Sequence, residues 1–304
     1  MTQSPGAPMA GLDLGGTKIA AIVLDRQGRT LWEQRIATPR HDYPETLAAL
    51  AGLVAAAEAA VGTRCTVGIG MPGAISPATG LVKNANSTWL NGQPLKRDLE
   101  QCLEREVRLA NDANCLAVSE AADGAAAGAE VVFGVIIGTG TGGGLVVRGS
   151  VVTGANAIAG EWGHNPLPWP DMDELPGPAC YCGLHGCIET FLSGPGLAAD
   201  YQRRTGQQIS SEDIVARRDA GDPHASASME AWTRRLARAV AAVINVLDPH
   251  VIVVGGGLSR IGQIYDDVPR LWGSWVFSDH VATRFVPARY GDASGVRGAA
   301  WLWQ

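Results

Sequence analysis

The sequence predicts an α/β protein built from two similar halves, and three observations carry that prediction. Glycine supplies 39 of the 304 residues. Much of it gathers in compact clusters at Gly15-Gly16, residues 138–144 and residues 255–257, where backbone must turn tightly or approach something closely. An order of strand, Gly/Thr turn, strand, turn, strand opens the chain and recurs after residue 130 with little residue identity. In both halves this opening gives way to helix-periodic stretches alternating with short apolar strands.

The elements follow in order. Residues 9–13 begin a strand, Gly15-Gly16-Thr17-Lys18 turns, 19–25 return, Arg26-Gln27-Gly28 turns again and 30–36 form a third strand. Residues 45–61 carry Leu47, Leu50, Leu53, Val54 and Val61 at helical spacing. A short strand over 66–71 ends at Pro72-Gly73, and 95–106, 107–110 and 113–127 read as helix, strand and helix. The second half repeats the opening: strand 131–137, a turn over 138–144, a return over 145–148, a turn at Gly149-Ser150 and a third strand from Val151. Residues 229–247 form a helix with Trp232, Leu236, Val240, Val243, Ile244 and Leu247 on one stripe, stopped by Asp248-Pro249. Val251 to Val254 is a β-branched strand running into the third glycine cluster, and a short helix over 298–303 closes the chain. Two such halves imply a cleft between them, where ligands tend to bind.

Composition narrows the function. Apolar residues at 46% and charged residues at 18% build a sizeable core rather than a disordered chain. A net charge of −6 argues against nucleic acid as the main partner, because phosphate binding needs a basic face. No apolar run reaches the ~18 residues of a membrane span, so no membrane-crossing helix is expected. Residues 1–8 read as a loose leader without the charged and apolar regions of a signal peptide. The chain is therefore expected in the cytoplasm, with its six cysteines reduced.

The first glycine turn, at Asp13-Leu14-Gly15-Gly16-Thr17-Lys18, is not a Walker A loop, which needs a longer glycine frame before a helix. It is a hairpin turn whose N–H groups and hydroxyl suit phosphate oxygens, and Asp13 can hold Mg²⁺ through water. Gly138-Thr139-Gly140, with Thr141, offers the same chemistry, so the two loops can cradle a nucleoside triphosphate. Gly255, Gly256 and Gly257 leave room for an adenine or ribose. In Asn111-Asp112-Ala113-Asn114, Asp112 stands where a strand meets a helix. It is either the helix N-cap or a base, kept ionised by the helix N-terminus, that takes a proton from an attacking hydroxyl. Asn84, Asn86 and Asn91 add groups that both donate to and accept from sugar hydroxyls.

The third constellation is Cys180-x-Cys182-Gly183-x-x-Gly186-Cys187-x-Glu189, with His164 upstream in Gly160-Glu161-Trp162-Gly163-His164. The alternatives are a disulfide plus a free thiol, packed core thiols, or a tetrahedral zinc site of three thiolates and one imidazole; the lack of a signal peptide and the Gly-rich knuckle favour zinc, structural because four protein ligands leave no open position. Such a zinc would fix the direction of Glu161 and Glu189. Cys65, Cys102 and Cys115 lie apart and read as ordinary buried thiols.

Together, Asp13-x-Gly15-Gly16-Thr17-Lys18, Asn111-Asp112, Gly138-Thr139-Gly140, Glu161-x-Gly163-His164 and the cysteine signature with Glu189 resemble the ROK family of bacterial sugar kinases, over residues 9–303. Residues 84–92 (Asn-Ala-Asn-Ser-Thr-Trp-Leu-Asn-Gly) and 160–169 (Gly-Glu-Trp-Gly-His-Asn-Pro-Leu-Pro-Trp) are similar to the manno(fructo)kinase type within it, and the family's N-acetylglucosamine kinases differ there. The resemblance implies the actin-like ATPase fold, with two RNase H-like domains about a hinge and the last helix returning to the first. The small domain would span 9–117 with about 290–304, and the large one 118–289 with the zinc segment. Asp112 would be the catalytic base, and Asn86, Asn111, Glu161, His164 and Glu189 would contact the sugar. Zinc would be held by His164, Cys180, Cys182 and Cys187, with His164 serving zinc through one ring nitrogen and the sugar through the other. ATP with Mg²⁺ would be the donor, its phosphates on the loops at Gly15, Gly16, Thr17 and Lys18 and at Gly138, Thr139 and Gly140. A homodimer is the expected assembly.

The implied activity is transfer of the γ-phosphate to the 6-hydroxyl of fructose, also of mannose; the alternative is a glucokinase or N-acetylglucosamine kinase. ROK repressors carry a DNA-binding domain of ~70–80 residues ahead of the first glycine loop and a basic face, for which a loop starting at Asp13 leaves no room. A sugar-binding protein with a dead site is disfavoured by Asp112, which binding alone does not require.

Overall fold

The computed structural model describes residues 6–304. They form two compact units, the first comprising the described residues up to Gly128 with Gly144–Ala159 and Asp292–Gln304, the second Ala129–Gly143 with Gly160–Gly291. The leader expected over 1–8 lies outside the described residues for 1–5.

The first unit opens with β1 (Met9–Leu14), β2 (Lys18–Leu24) and β3 (Thr30–Ala37), followed by α1 (Tyr43–Val61), β4 (Thr66–Met71), the short pair β5 (Ala74–Ile75) and β6 (Val82–Lys83), α2 (Leu95–Leu103), β7 (Val107–Asn111) and α3 (Asp112–Ala122). Its sheet runs β3-β2-β1-β4-β7. The meander pairs antiparallel, while β1, β4 and β7 pair parallel, with Asp13 beside Gly70 and Met71 beside Asn111. Pro8 already belongs to this sheet, since its carbonyl accepts from Thr66 N–H at 3.0 Å.

Helix α1 starts where the Asp42 carboxylate accepts from Glu45 N–H and ends at Gly62, whose φ of +70° is the left-handed conformation glycine adopts freely. Its mean hydropathy of 1.4 over 18 residues makes it long and apolar enough to cross a bilayer by length and composition. Leu50, Leu53, Val54 and Ala57 instead pack into the core of this unit, against Leu12, Val23 and Ile69.

The second sheet runs β10-β9-β8-β11-β12, from β8 (Val131–Ile137), β9 (Thr141–Val147), β10 (Ser150–Val151), β11 (Val251–Gly255) and β12 (Arg284–Pro287). Its parallel strands are β8, β11 and β12. Both sheets thus place their strands in the order third, second, first, fourth, fifth, so the repeat read from the two glycine turns is a repeat of topology. The second unit adds α4 (Glu189–Leu192), α5 (Gly194–Thr205), α6 (Ser211–Asp219), α7 (Pro223–Leu247) and α8 (Ile264–Trp272). Helix α7 is capped by Asp222, which accepts from His224 and Ala225 N–H, and buries Trp232, Leu236, Val240 and Ile244.

The chain ends in α9 (Ser294–Trp301), which packs on β1, β4 and α3 of the first unit. Contact is backbone to backbone. A Cβ on Gly11 would lie 2.2 Å from the Val296 carbonyl oxygen, one on Gly68 1.8 Å from that of Ala299, and one on Gly298 1.7 Å from that of Cys115. This packing moves the division expected at 117/118, because α3 is one continuous helix on α9, with Ser294 Oγ donating to Glu120 at 2.9 Å.

Several readings need correction. Cys102, read as a buried thiol, is exposed, and the helix expected from Met229 starts at Pro223. The glycine run 138–144 is a turn only as far as Gly140; its remainder is strand β9, where small residues are required because a Cβ on Gly143 would meet Gly160 O, Phe133 and Trp162 within 3 Å. The helix expected over 113–127 starts at Asp112 and ends at Ala122, where Asp123 N–H closes on Ser119 O. The last helix begins at Ser294, four residues before the expected start at Gly298.

Candidate active site

In the first unit the candidate side chains gather at the carboxyl ends of the parallel strands, the edge where open α/β sheets bind ligands. Asp13 ends β1, Asn111 ends β7, and Asp112 is the first residue of α3. The N-cap is Asn111, whose Oδ1 accepts from Asn114 N–H at 2.7 Å; the capping role considered for Asp112 therefore belongs to its neighbour. Asp112 Oδ1 accepts from Ala113 N–H at 2.8 Å. Its side chain is open to water yet crowded by protein, and that crowding raises its pKa against the lowering effect of the helix N–H groups. Asp13 is pushed up to about 6, first by burial and then by the charge of Asp112, with Lys18 opposing.

The turn between β1 and β2 is held from outside. Thr38 Oγ1 donates to Gly15 O at 2.7 Å and Arg40 Nε to Gly16 O at 2.9 Å, which leaves Gly16, Thr17 and Lys18 exposed at the tip. Residues 84–92 stand beside it, with Ser87 Oγ 3.6 Å from where a Cβ on Gly16 would be. Asn86 is exposed. Asn91, read from sequence as a further sugar group, spends its amide on the backbone of Ala85.

In the second unit Gly138 O accepts from Gly194 N–H at 2.8 Å, joining the turn after β8 to the start of α5. Gly256 lies against the same turn. Its φ is +87°, and a Cβ there would sit 2.5 Å from Ile137 O. These residues border a cavity of about 410 Å³ lined by Gly138, Thr139, Pro195, Ser211, Glu212 and Gly257, among others. The N-terminal turns of α5 and α6 therefore line this cavity and were missed in the sequence. Ser193 before Gly194-Pro195 and Ser210 before Ser211-Glu212 are the N-cap signals that could have found them.

The cysteine group assembles as expected. His164, Cys180, Cys182 and Cys187 bring their donor atoms within 4.8 Å of one another. Cys180 Sγ lies 3.5 Å from His164 Nδ1, and Cys182 Sγ 3.6 Å from Cys187 Sγ. A tetrahedron with Zn–S near ~2.3 Å has edges of ~3.8 Å, so the donor set and its spacing fit zinc. Left-handed glycines at Gly183 (φ +90°) and Gly186 (φ +70°) fold the knuckle. Glu189 follows directly: its Oε2 accepts from Thr141 N–H at 2.8 Å, tying α4 to the start of β9. Glu161 is exposed, and the buried Trp162 beside it donates to Gly142 O at 2.8 Å.

One member of this group was not read from sequence. Tyr181, between two of the cysteines, has its hydroxyl 2.8 Å from His164 Nε2. Tyr181 is 84% exposed; partial burial of its hydroxyl against neighbouring protein, then the charges of Glu189, Cys180 and Glu161, push its pKa up to about 12. The expected sugar contacts thus fall into two groups: Asn86 and Asn111 in the first unit, beside the expected base Asp112, and Glu161, His164 and Glu189 in the second.

Two mixed five-stranded sheets of one topology, each with a glycine turn between its first two strands, are the architecture of the actin-like ATPase fold. The ROK family model matches residues 9–304, and the chain belongs to that family. It is 43% identical over 296 residues to an N-acetyl-D-glucosamine kinase of Yersinia pseudotuberculosis, covering 96% of this chain and 97% of that protein. Among solved structures, a ROK hexokinase from Thermus thermophilus aligns with a TM-score of 0.87 and 33% identity over 97% of both chains. A ROK glucokinase from Streptomyces griseus, solved with glucose and AMPPNP, aligns with a TM-score of 0.74 and 29% identity over 96% of this chain and 98% of that one.

Proposed function

We propose that the protein transfers the γ-phosphoryl group of ATP to the 6-hydroxyl of a hexose. The observation that carries this reading is Asp112, a crowded carboxylate at the first turn of α3, beside a glycine turn and among asparagines. Ionised, it accepts the proton of the attacking hydroxyl while the oxygen bonds to phosphorus and ADP leaves. The N–H groups of the turns at residues 15–18 and 138–140 stabilise charge on the phosphates. The cavity beside Gly138, Ser211 and Gly257 takes the nucleoside. Mg²⁺ would neutralise phosphate charge, with Asp13 holding it through water. Zinc, when bound, cross-links the knuckle; Glu161, His164 and Glu189 then orient the sugar by hydrogen bonds to its hydroxyls.

The 43% identity to an N-acetyl-D-glucosamine kinase supports that amino sugar as acceptor. Residues 84–92 and 160–169 support a second reading, fructose with mannose. A cytoplasmic setting, where thiols stay reduced for metal, and a homodimer belong to the same proposal. A coupled ADP-release assay with Mg·ATP and N-acetylglucosamine, fructose, mannose or glucose tests it. We expect turnover on at least one sugar, with the leading sugar naming the subgroup; silence on all four overturns the kinase reading.

A further inference from the structure

His164 is asked to do two things with one ring. Its Nδ1 faces Cys180 Sγ at 3.5 Å, within the metal donor set. An imidazole that gives one nitrogen to a metal keeps its proton on the other. Nε2–H is then the donor, and the Tyr181 hydroxyl at 2.8 Å accepts it, with the two rings perpendicular and 5.0 Å apart. That N–H points along one direction and serves one good acceptor. A sugar hydroxyl that is to receive it must displace Tyr181.

Tyr181 is built to be displaced. Its backbone is fixed between Cys180 and Cys182, but its ring is 84% exposed and can rotate outward without moving either ligand. The hydroxyl stands within the electrostatic reach of Glu189 and Glu161, the other two sugar contacts proposed for this unit. The geometry points to Tyr181 as a placeholder. Its hydroxyl fills the sugar-hydroxyl position on His164 Nε2 while the site is empty, and it swings out when a hexose arrives, so that it sets the sugar concentration at which the site fills. This rests on the reading that His164 contacts the sugar.

The test is Tyr181→Phe, which keeps the ring and removes the competing acceptor. Sugar binding is measured by calorimetry without ATP on both proteins, and zinc by elemental analysis. We expect equal zinc content, a sugar Kd lowered by roughly two- to tenfold, the worth of one hydrogen bond, a KM that falls with it and an unchanged kcat. In long-range ¹H–¹⁵N spectra the His164 Nε2–H signal should differ between the two sugar-free proteins and coincide once sugar is bound. An unchanged or weaker Kd at full zinc overturns the placeholder role, as does loss of zinc, which would make Tyr181 a support of the metal site. If the wild type itself binds none of the four sugars, the acceptor reading falls and takes this one with it; if it binds and the variant binds equally, only the role of Tyr181 is lost.

Discussion

Asn91 grips Ala85 by both of its backbone groups: Asn91 Nδ2 donates to Ala85 O and Ala85 N–H donates to Asn91 Oδ1, each at 2.9 Å. This amide ring closes the loop on which Asn84 adopts a φ of +58° and Asn86 faces outward. Each bond contributes about 1 kcal/mol, so Asn91→Ala should raise the sugar KM by about tenfold while kcat changes far less. Asn91→Asp, which keeps the acceptor and loses the donor, should fall between. Steady-state kinetics on the preferred sugar decides this, and an unchanged KM in both variants would remove the loop from sugar binding.

Asp112 carries the heaviest chemical demand. Asp112→Asn preserves shape and removes the base, so kcat should fall by about 10²- to 10⁴-fold, while calorimetry finds sugar binding within a few-fold of wild type. Crowding by the surrounding protein raises the folded-state pKa. Protonation as pH falls through that raised value switches the base off, so activity should be lost at a pH above the ordinary Asp value of ~3.9. A kcat/KM profile flat down to that value would show that some other group accepts the proton.

Much of this site was legible because backbone demands leave marks on residue type. Gly15-Gly16 and Gly138-Thr139-Gly140 marked turns at strand ends, and Cys180, Cys182, Cys187 and His164 marked by donor chemistry alone a group whose donor atoms the fold does bring together. The repeat marked two similar halves, while the order of strands within each sheet came only from the structure. What stayed hidden depended on tertiary contact. The glycines of β9 look like a long loop until the packing of Gly143 against Trp162 is known. Asn111 and Asp112 are equally plausible caps, and only the backbone bond to Asn114 separates them. The cavity walls from α5 and α6 lie some 55–75 residues beyond the turn they complete, at short helices with weak apolar periodicity.

The zinc reading has a direct check. Cys182→Ser removes one of four donors from a knuckle with little apolar core of its own: Tyr181, Gly183, Leu184 and His185 are all exposed. Metal binding to such a segment is also folding free energy. The variant should lose bound zinc by elemental analysis and melt at a lower temperature, and a chelator should lower the wild-type Tm toward the same value. Full metal occupancy in the variant would refute the assigned ligand set.

A second fastening holds the same segment from its other side. Glu174 lies buried with Arg235 Nε and Arg238 Nη2 each 2.7 Å from its carboxylate, and Arg238 Nη1 also donates to Trp169 O. Asp200 pairs with Arg235 at 3.3 Å. The two arginines hold Glu174 below its ordinary pKa despite burial. A carboxylate with a depressed folded-state pKa stabilises fully above its unfolded value of ~4.3, and that contribution fades as pH falls through the folded value. Glu174→Gln leaves two buried guanidinium groups short of a partner, which costs about 3 kcal/mol, at the lower end for a broken buried pair because Asp200 and Asp171 remain nearby. Urea unfolding should show this gap at pH 7 and a gap that narrows below about pH 4, where the unfolded chain's carboxylate takes up its proton before the folded one does. A gap that persists unchanged in acid would mean that packing of the glutamate stem, and not its charge, anchors residues 169–175 to α7.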